Sequence, residues 1–371
     1  MSAVQLGYAY DPLFLEHDQP GHPEHAGRLR AIMNLLSAKG VLSSMQQLAA
    51  TPATFEALCE LHAPDYVSQV YSVCERGGGM LNGDTYVRRA SFNAAALAAG
   101  AAMRCASAVV SGEVQRAFAI VRPPGHHAFA DHAEGFCLFN NVAFAARAAL
   151  GKSGHGDAMW SPSARRSHAQ GHPRAMIVDF DVHHGNGTQS IFFDDPEVVV
   201  LSLHQYGFIY PGSGHHEDVG HGAGRGHTIN VPMPAGAGDG LYARAFAEIV
   251  APAARRFKPD VLLMSAGFDA HWRDPLAHIH LSLTGLANSV RALCDLSDEL
   301  CGGRLIGILE GGYDLEVLSY GVLNTLRIMS GMPQAEAVED PIGPATEPDT
   351  RDQRVIDAVR RVHAINGPAQ E

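Results

Sequence analysis

Six short apolar runs rich in β-forming residues, each bounded by Gly, Pro, Asp or His, recur along the chain: Phe118–Val121, Ala175–Phe180, Val198–Leu203, Thr228–Val231, Val261–Ser265 and Leu305–Leu309. Such continuous hydrophobicity predicts strands buried on both faces. Most are separated by longer stretches with helical spacing, among them Pro64–Glu75, Ser91–Val110, Asn141–Leu150, Leu241–Phe257, Thr284–Leu300 and Leu315–Ile328. The alternation predicts an α/β fold of three layers, a central, mainly parallel sheet flanked by helices. All 371 residues are read as a single catalytic domain, with a surface insertion at 152–174, where Gly, Ser, Pro and His accumulate without either periodicity. The Pro-, Glu- and Asp-dense stretch Gln334–Thr350 reads as a solvated connection before a last short helix at Asp352–Ala364.

Composition narrows the function. Hydrophobic residues are 46% and charged residues 18% of the chain, so it can bury a large core and is not the sparse, charged kind that stays unfolded. A net charge of −12 opposes contact with a phosphate backbone and suits cationic partners, so direct nucleic-acid binding is not expected. The six cysteines are scattered without C-x-x-C spacing, which fits a reducing compartment, and a cytoplasmic location is expected. Met1–Tyr10 lacks the basic-then-apolar pattern of an export signal, and Arg104 interrupts the long run Ala94–Ser111, so no membrane span is expected either.

The 21 histidines, several of them paired beside Gly or Asp, point toward a metal site. In open α/β sheets the working crevice lies beyond the carboxyl ends of the strands. Four such ends stand out: Arg122-Pro123-Pro124-Gly125-His126-His127, Asp179-Phe180-Asp181-Val182-His183-His184-Gly185-Asn186, Ser265-Ala266-Gly267-Phe268-Asp269 and Leu309-Glu310-Gly311-Gly312-Tyr313. Asp179, Asp181 and His183 stand at i, i+2 and i+4, so strand alternation would send all three from one face. Asp oxygens and a neutral imidazole suit Zn²⁺ at about 2.0–2.2 Å, and a third ligand from another strand end, Asp269 being the obvious one, leaves a position open for water. A lone D-x-H more often caps the next helix; D-x-D-x-H-H-G at a strand end shifts the balance to ligation.

His126 and His127 follow a stiff Pro-Pro-Gly turn, where an imidazole can shuttle protons if its other nitrogen is fixed. Asp179 and Asn186 are the candidate partners for His126 and His127 respectively, and a charged and a neutral partner would separate the two pKa values. Tyr313, after Gly311-Gly312, can present a phenol to an oxyanion. Phe136 and Tyr210, each in a Gly-flanked loop, suit the walls of a slot for an extended aliphatic substrate.

Taken together and in this order, the four motifs resemble the zinc-dependent histone deacetylase family, including its bacterial amidohydrolase members. The resemblance runs from His22-Pro23-Glu24 and Arg28-Leu29 through His62, Asp84-Thr85-Tyr86, Arg122–His127 and Gly135–Asn141 to Glu310–Tyr313. Asn186 in H-H-G-N-G, together with Ser265–Asp269 and Leu309–Gly312, looks like the class II branch. The resemblance implies an arginase-like fold with Asp181, His183 and Asp269 holding Zn²⁺, and a metal-activated water attacking an acetamide carbonyl. It implies His127 as general base and then acid, His126 held by Asp179 as electrostatic support, and Tyr313 sharing the oxyanion with zinc. It implies Gly135, Phe136 and Tyr210 in an acyl-lysine tunnel, Asp84 at its rim, and a potassium ion near Asp179, Asp181, His183, Ser202 and Leu203.

The related arginases hold two manganese ions with extra aspartates where this chain has Gly185 and Gly267, so one metal is expected and ureohydrolase activity is not. Polyamine-selective relatives carry an acid after the Asp-Pro that follows the zinc Asp. This chain has Asp274-Pro275-Leu276, and Leu276 favours acyl-lysine. The expected substrate is therefore an acetylated or longer acylated lysine in a peptide or protein, with an acetylated polyamine as the alternative and a silent acyl-lysine-binding module as a third reading. Zinc and iron(II) both suit the ligand set, and a homo-oligomer is compatible with the sequence.

Overall fold

The computed structural model describes residues 4–152, 173–331, 337–345 and 353–365. Eight strands form one parallel sheet: β1 (Leu6–Ala9), β2 (Gln46–Gln47), β5 (Arg116–Ala119), β6 (Ala175–Asp179), β7 (Val198–Gln205), β8 (Thr228–Met233), β9 (Val261–Ala266) and β10 (Leu305–Leu309). A separate antiparallel pair joins β3 (Gly78–Met80) to β4 (Tyr86–Arg88). The sheet order is β2-β1-β5-β10-β9-β6-β7-β8. Strands β5 through β10 of this sheet are buried throughout except at one residue of β8, as expected of a parallel sheet covered on both faces.

Register sets the site. Ala119, Ile308, Ser265, Asp179 and Ser202 stand side by side across β5, β10, β9, β6 and β7. The chain segments leaving the first four of these strands, which are contiguous in the sheet, are the four motifs picked out in the sequence. Residues more than a hundred positions apart thus emerge on one rim.

The helices start and stop where side chains and glycines allow. Ser282 caps Leu283–Cys301 by accepting from the Gly285 amide, and Gly302 ends it in the left-handed region. Asp314 caps Leu315–Ser330 in the same way, accepting from the Glu316 and Val317 amides. The helix Ser91–Ser111 is long and apolar enough to cross a bilayer, but 83% of its most apolar window is buried inside the protein and Arg104 pairs with Glu113.

Several expectations are corrected. The sequence pattern misses β1, only four residues long with Gly7 among them, the two-residue β2, and the helix Gly27–Ala38. β5 lies two residues earlier than expected; Ile120 and Val121, although buried, already belong to the exit loop. β6 stops at Asp179, not Phe180, because Asp179 Oδ1 turns the chain by accepting the Asp181 amide at 3.0 Å. The helix expected at 241–257 runs from Asp239 to Phe257 with a π turn at Phe246–Val250. Within Gln334–Thr350 the described part is anchored, not solvated: Glu339 exchanges hydrogen bonds with Asn324 and pairs with Lys39 and Arg327. The insertion at 152–174 lies outside the described residues apart from Lys152, Pro173 and Arg174.

Candidate active site

Three side chains converge beyond β6 and β9. His183 Nδ1 lies 3.2 Å from Asp181 Oδ1 and 3.3 Å from Asp269 Oδ2, and one ligand atom from each residue falls within 4.8 Å of the others. Asp181 and His183 sit in the turn after β6, so successive Asx turns, rather than strand alternation, aim them: Asp179 Oδ1 accepts the Asp181 amide and Asp181 Oδ1 accepts the His183 amide at 2.9 Å. Asp269 Oδ1 accepts the Val182 amide at 2.9 Å, which ties the β9 loop to the β6 loop.

The cluster draws positive charge. Burial works against an imidazolium at His183, yet Asp181 and Asp269 overcome it and raise its pKa to about 10. Asp269 Oδ2 is buried and accepts no hydrogen bond, a costly condition for a carboxylate oxygen unless a cation is its partner. Two carboxylates and one imidazole nitrogen fit a divalent metal. His126, Cys137 and Glu310 also lie close together, but their atoms are engaged: His126 by Asp179, Cys137 Sγ by the Gly135 carbonyl, and Glu310 by Ser265 and two backbone amides.

The glycines around the cluster are there for space. A Cβ at Gly267 would overlap the Asp181 carboxylate, one at Gly311 those of Asp269 and Asp181, and one at Gly185 that of Asp179. A larger residue at 185 or 267 would push on the Asp179 or Asp181 carboxylate.

His126 and His127 face this cluster with their rings 4.0 Å apart. His126 Nδ1 meets Asp179 Oδ2 at 3.0 Å, and His127 Nδ1 meets Asn186 Oδ1 at 2.8 Å, the two pairings expected from sequence. Because Asn186 Oδ1 also accepts the Gly187 amide at 3.1 Å, it is an acceptor toward His127, which fixes the proton on Nδ1 and leaves Nε2 basic. Burial disfavours charge on both rings. At His126, Asp181 and Asp179 reverse it and raise the pKa to about 10. At His127 the burial is reinforced by the charges of His126 and His183, and its pKa falls well below the usual imidazole value. The charged form is thus favoured at His126 and disfavoured at His127.

Tyr313 enters from the turn after β10, its amide held by Asp274 Oδ2 at 2.7 Å. Burial pushes the phenol pKa well above its ordinary value, so it stays a proton donor. Phe136 packs edge-on to Tyr313 at 5.9 Å and Tyr210 edge-on to His127 at 5.1 Å. Phe136 has φ +69°, a strained conformation for a bulky residue; its amide donates to Thr85 Oγ1, and Gly135 beside it has no room for a Cβ against the His127 ring. Asp84 is half-buried nearby and binds Thr85 Oγ1 at 2.7 Å. Together with Glu134 it raises the Tyr210 pKa, although burial is the larger cause. Leu276 is half-buried on the loop turned by Asp274 Oδ1, the residue whose other oxygen holds the Tyr313 amide. Ser202 and Leu203 are buried in β7, with Ser202 directly beside Asp179.

Sequence reasoning assigns no role to three supports. Glu310, on the central strand end, accepts the Gly125 and His126 amides at 2.7 and 3.2 Å and so fixes the histidine turn. Asp274 holds the Tyr313 loop. Glu24 is buried between Arg28 and Arg122, accepting from Arg28 at 3.0 Å and from Arg122 through both carboxylate oxygens. Glu310 alone carries a local signal, a charged residue between the apolar run Leu305–Leu309 and Gly311-Gly312; Glu24 and Asp274 stand among His, Arg and Pro residues that give none.

A cation-seeking cluster, a neutral imidazole and an un-ionised phenol on one rim of a parallel sheet define a hydrolase acting on amide bonds. Residues 22–329 match the family model described as histone deacetylase domain. The chain is 36% identical over 367 residues to histone deacetylase 10, chloroplastic, of Oryza sativa, covering 94% of this chain and 79% of the relative. It is 37% identical to a probable deacetylase of Archaeoglobus fulgidus, covering 90% and 89% of the two chains. It is 36% identical to the histone deacetylase-like amidohydrolase of Pseudomonas aeruginosa, covering 87% and 80%. The crystal structure of the HDA15 HD domain superposes with a TM-score of 0.81 at 34% identity, covering 98% of this chain and 94% of that one. The chain belongs to the histone deacetylase family and is a deacetylase.

Proposed function

We propose that this chain removes acetyl, or a longer acyl group, from the ε-amine of lysine in peptides or proteins, using one zinc ion held by Asp181, His183 and Asp269. The observation that carries the reading is the buried three-donor cluster of Asp181, His183 and Asp269, faced by the His127 ring whose Nδ1 is fixed by Asn186 Oδ1. When bound, the metal supplies the charge that polarises the acyl carbonyl and acidifies water. His127 Nε2 takes the proton from the attacking water and returns it to the departing amine. His126, charged and anchored by Asp179, offsets negative charge growing beside it, and the Tyr313 hydroxyl donates to the carbonyl oxygen as that oxygen becomes anionic.

Gly135, Phe136 and Tyr210 wall the acyl-lysine tunnel and Asp84 takes the rim. A potassium ion near Asp179, Ser202 and Leu203 belongs to the same proposal, and residues 1–371 act as one catalytic unit. The alternative substrate is an acetylated polyamine. The proximity of the Asp84 and Glu134 carboxylates to Tyr210 favours it, since they suit a second ammonium, whereas Leu276 favours lysine.

Metal analysis of the purified chain should find about one equivalent of zinc, as a three-ligand site requires, and Asp181→Ala should remove metal and turnover together. Full turnover after metal removal would overturn the mechanism. Comparison of kcat/KM on an acetyl-lysine peptide and on acetylspermidine decides the substrate, and a large preference for the polyamine would put the polyamine first and lysine second.

A further inference from the structure

Glu134 to Cys137 make a tight turn. The Cys137 amide donates to the Glu134 carbonyl at 2.9 Å, and both residues between them have positive φ, +54° at Gly135 and +69° at Phe136. Two successive residues of that kind mark a type I′ turn, in which Gly, Asn and Asp are at home and a bulky aromatic is not. A side chain held in so sparsely populated a conformation needs support from outside the turn.

We infer that the Thr85 hydroxyl gives that support, and that Thr85 is a positioning residue which sets the tunnel wall through Phe136. The inference rests on the acyl-lysine tunnel of the proposed function.

The tip of the β3–β4 hairpin grips the turn at two points. Asn82 Oδ1 accepts the Asp84 and Thr85 amides at 3.0 and 2.7 Å, which fixes its amide group, and Nδ2 donates to the Ala133 carbonyl at 2.7 Å, one residue before the turn. Thr85 Oγ1 accepts the Phe136 amide at 3.1 Å and donates to Asp84 Oδ1 at 2.7 Å. A hydroxyl that donates to a carboxylate is polarised and accepts more strongly on its other side. Thr85 is fully buried, so water does not stand in for its hydroxyl. The Leu81 amide closes the tip by donating to the Thr85 carbonyl at 2.9 Å. The turn in its turn aims the ring: Phe136 stands edge-on to Tyr313 at 5.9 Å and to His22 at 4.7 Å. Relaxing Phe136 to negative φ would swing the ring away from both.

Steady-state kinetics of the full chain on an acetyl-lysine peptide test the assignment. A wall that holds the lysine methylenes binds ground state and transition state alike, so its loss appears in KM with kcat preserved. Thr85→Val, the same shape without the hydroxyl, should raise KM by about tenfold, the loss of one polarised hydrogen bond. Thr85→Ser keeps the hydroxyl and should keep the parent KM. In a Phe136→Gly background, adding Thr85→Val should raise KM no further, because the group it acts through is gone. Tm checks folding, and Thr85→Ala, with the same expectation, replaces Thr85→Val if that variant does not fold. A parent KM in the variants without the hydroxyl, a raised KM in Thr85→Ser, or independent effects of Thr85→Val and Phe136→Gly would each overturn the role of Thr85 while the parent still turns over the peptide. No turnover of the peptide by the parent would instead sink the tunnel reading, and this inference with it.

Discussion

The guanidinium carbon of Arg28 lies 5.1 Å from the centre of the Tyr313 ring, while Arg28 Nε donates to the Gly312 carbonyl at 2.8 Å and Nη2 to the Glu310 carbonyl at 2.5 Å. A fully buried arginine from the helix Gly27–Ala38 therefore grips both sides of the turn that carries the phenol. Its charge is balanced by Glu24 and its planar fork meets carbonyls that a lysine would miss.

Arg28→Lys keeps the charge and loses the fork. Its kcat should fall by about tenfold or more with little change in KM, because Tyr313 is needed most when the carbonyl oxygen is charged. A rise in KM at constant kcat would show that Arg28 serves binding instead. Thermal unfolding should separate this from Arg28→Ala, which leaves Glu24 short of a partner and destabilises the fold.

Gly267 and Gly311 make a sterically sharper prediction. A methyl group at either position overlaps the carboxylates of Asp181 or Asp269. Gly267→Ala should lose metal and activity while keeping its fold, and Gly267→Asp should not generate a second metal site. Metal stoichiometry checks both, and two equivalents in Gly267→Asp would contradict the steric conflict at that position.

Much of this was legible in the sequence, and the reason is physical. Strand ends in a parallel sheet share one rim, so Asp181, His183, Asp269 and Tyr313 could be assigned to one place without knowing the strand order. Pairwise partners such as His126 with Asp179 followed from charge and proximity along that rim. Supports arriving from elsewhere were not legible. Glu24 and Arg122 are 98 positions apart and Arg28 meets the Gly312 carbonyl across 284, and nothing in local periodicity reports such contacts. The anchoring of Glu339 was hidden likewise, because composition alone makes that stretch look solvated.

Glu24 sets an acid limit on stability. Burial alone would raise its carboxyl pKa, but Arg122, His17 and Arg28 outweigh burial and hold it well below its ordinary 4.5. A depressed folded-state pKa contributes stability that is complete above the unfolded value and is lost as pH falls through the folded one. The parent should therefore lose stability steeply below about pH 4.5. Glu24→Gln should show a shallower acid slope and lower stability at pH 7, by about 3–5 kcal/mol, because two buried arginines lose their counter-charge. Denaturant unfolding across pH measures both, and an unchanged acid slope would remove Glu24 from this role.

The neutral acceptor at His127 is the feature that keeps that ring a base. Asn186 Oδ1 orients the imidazole without adding charge, whereas Asp179 beside His126 adds a full one. Asn186→Asp should leave the geometry in place while stabilising the imidazolium, so the His127 pKa rises and the basic form is depleted at neutral pH. The acidic limb of the kcat/KM profile should move to higher pH, with activity reduced by about tenfold or more at pH 7 and largely recovered at pH 9. Asn186→Ala removes the orienting bond without the charge and should lower activity with no such shift. An unshifted limb in Asn186→Asp would mean that His127 does not act as the base.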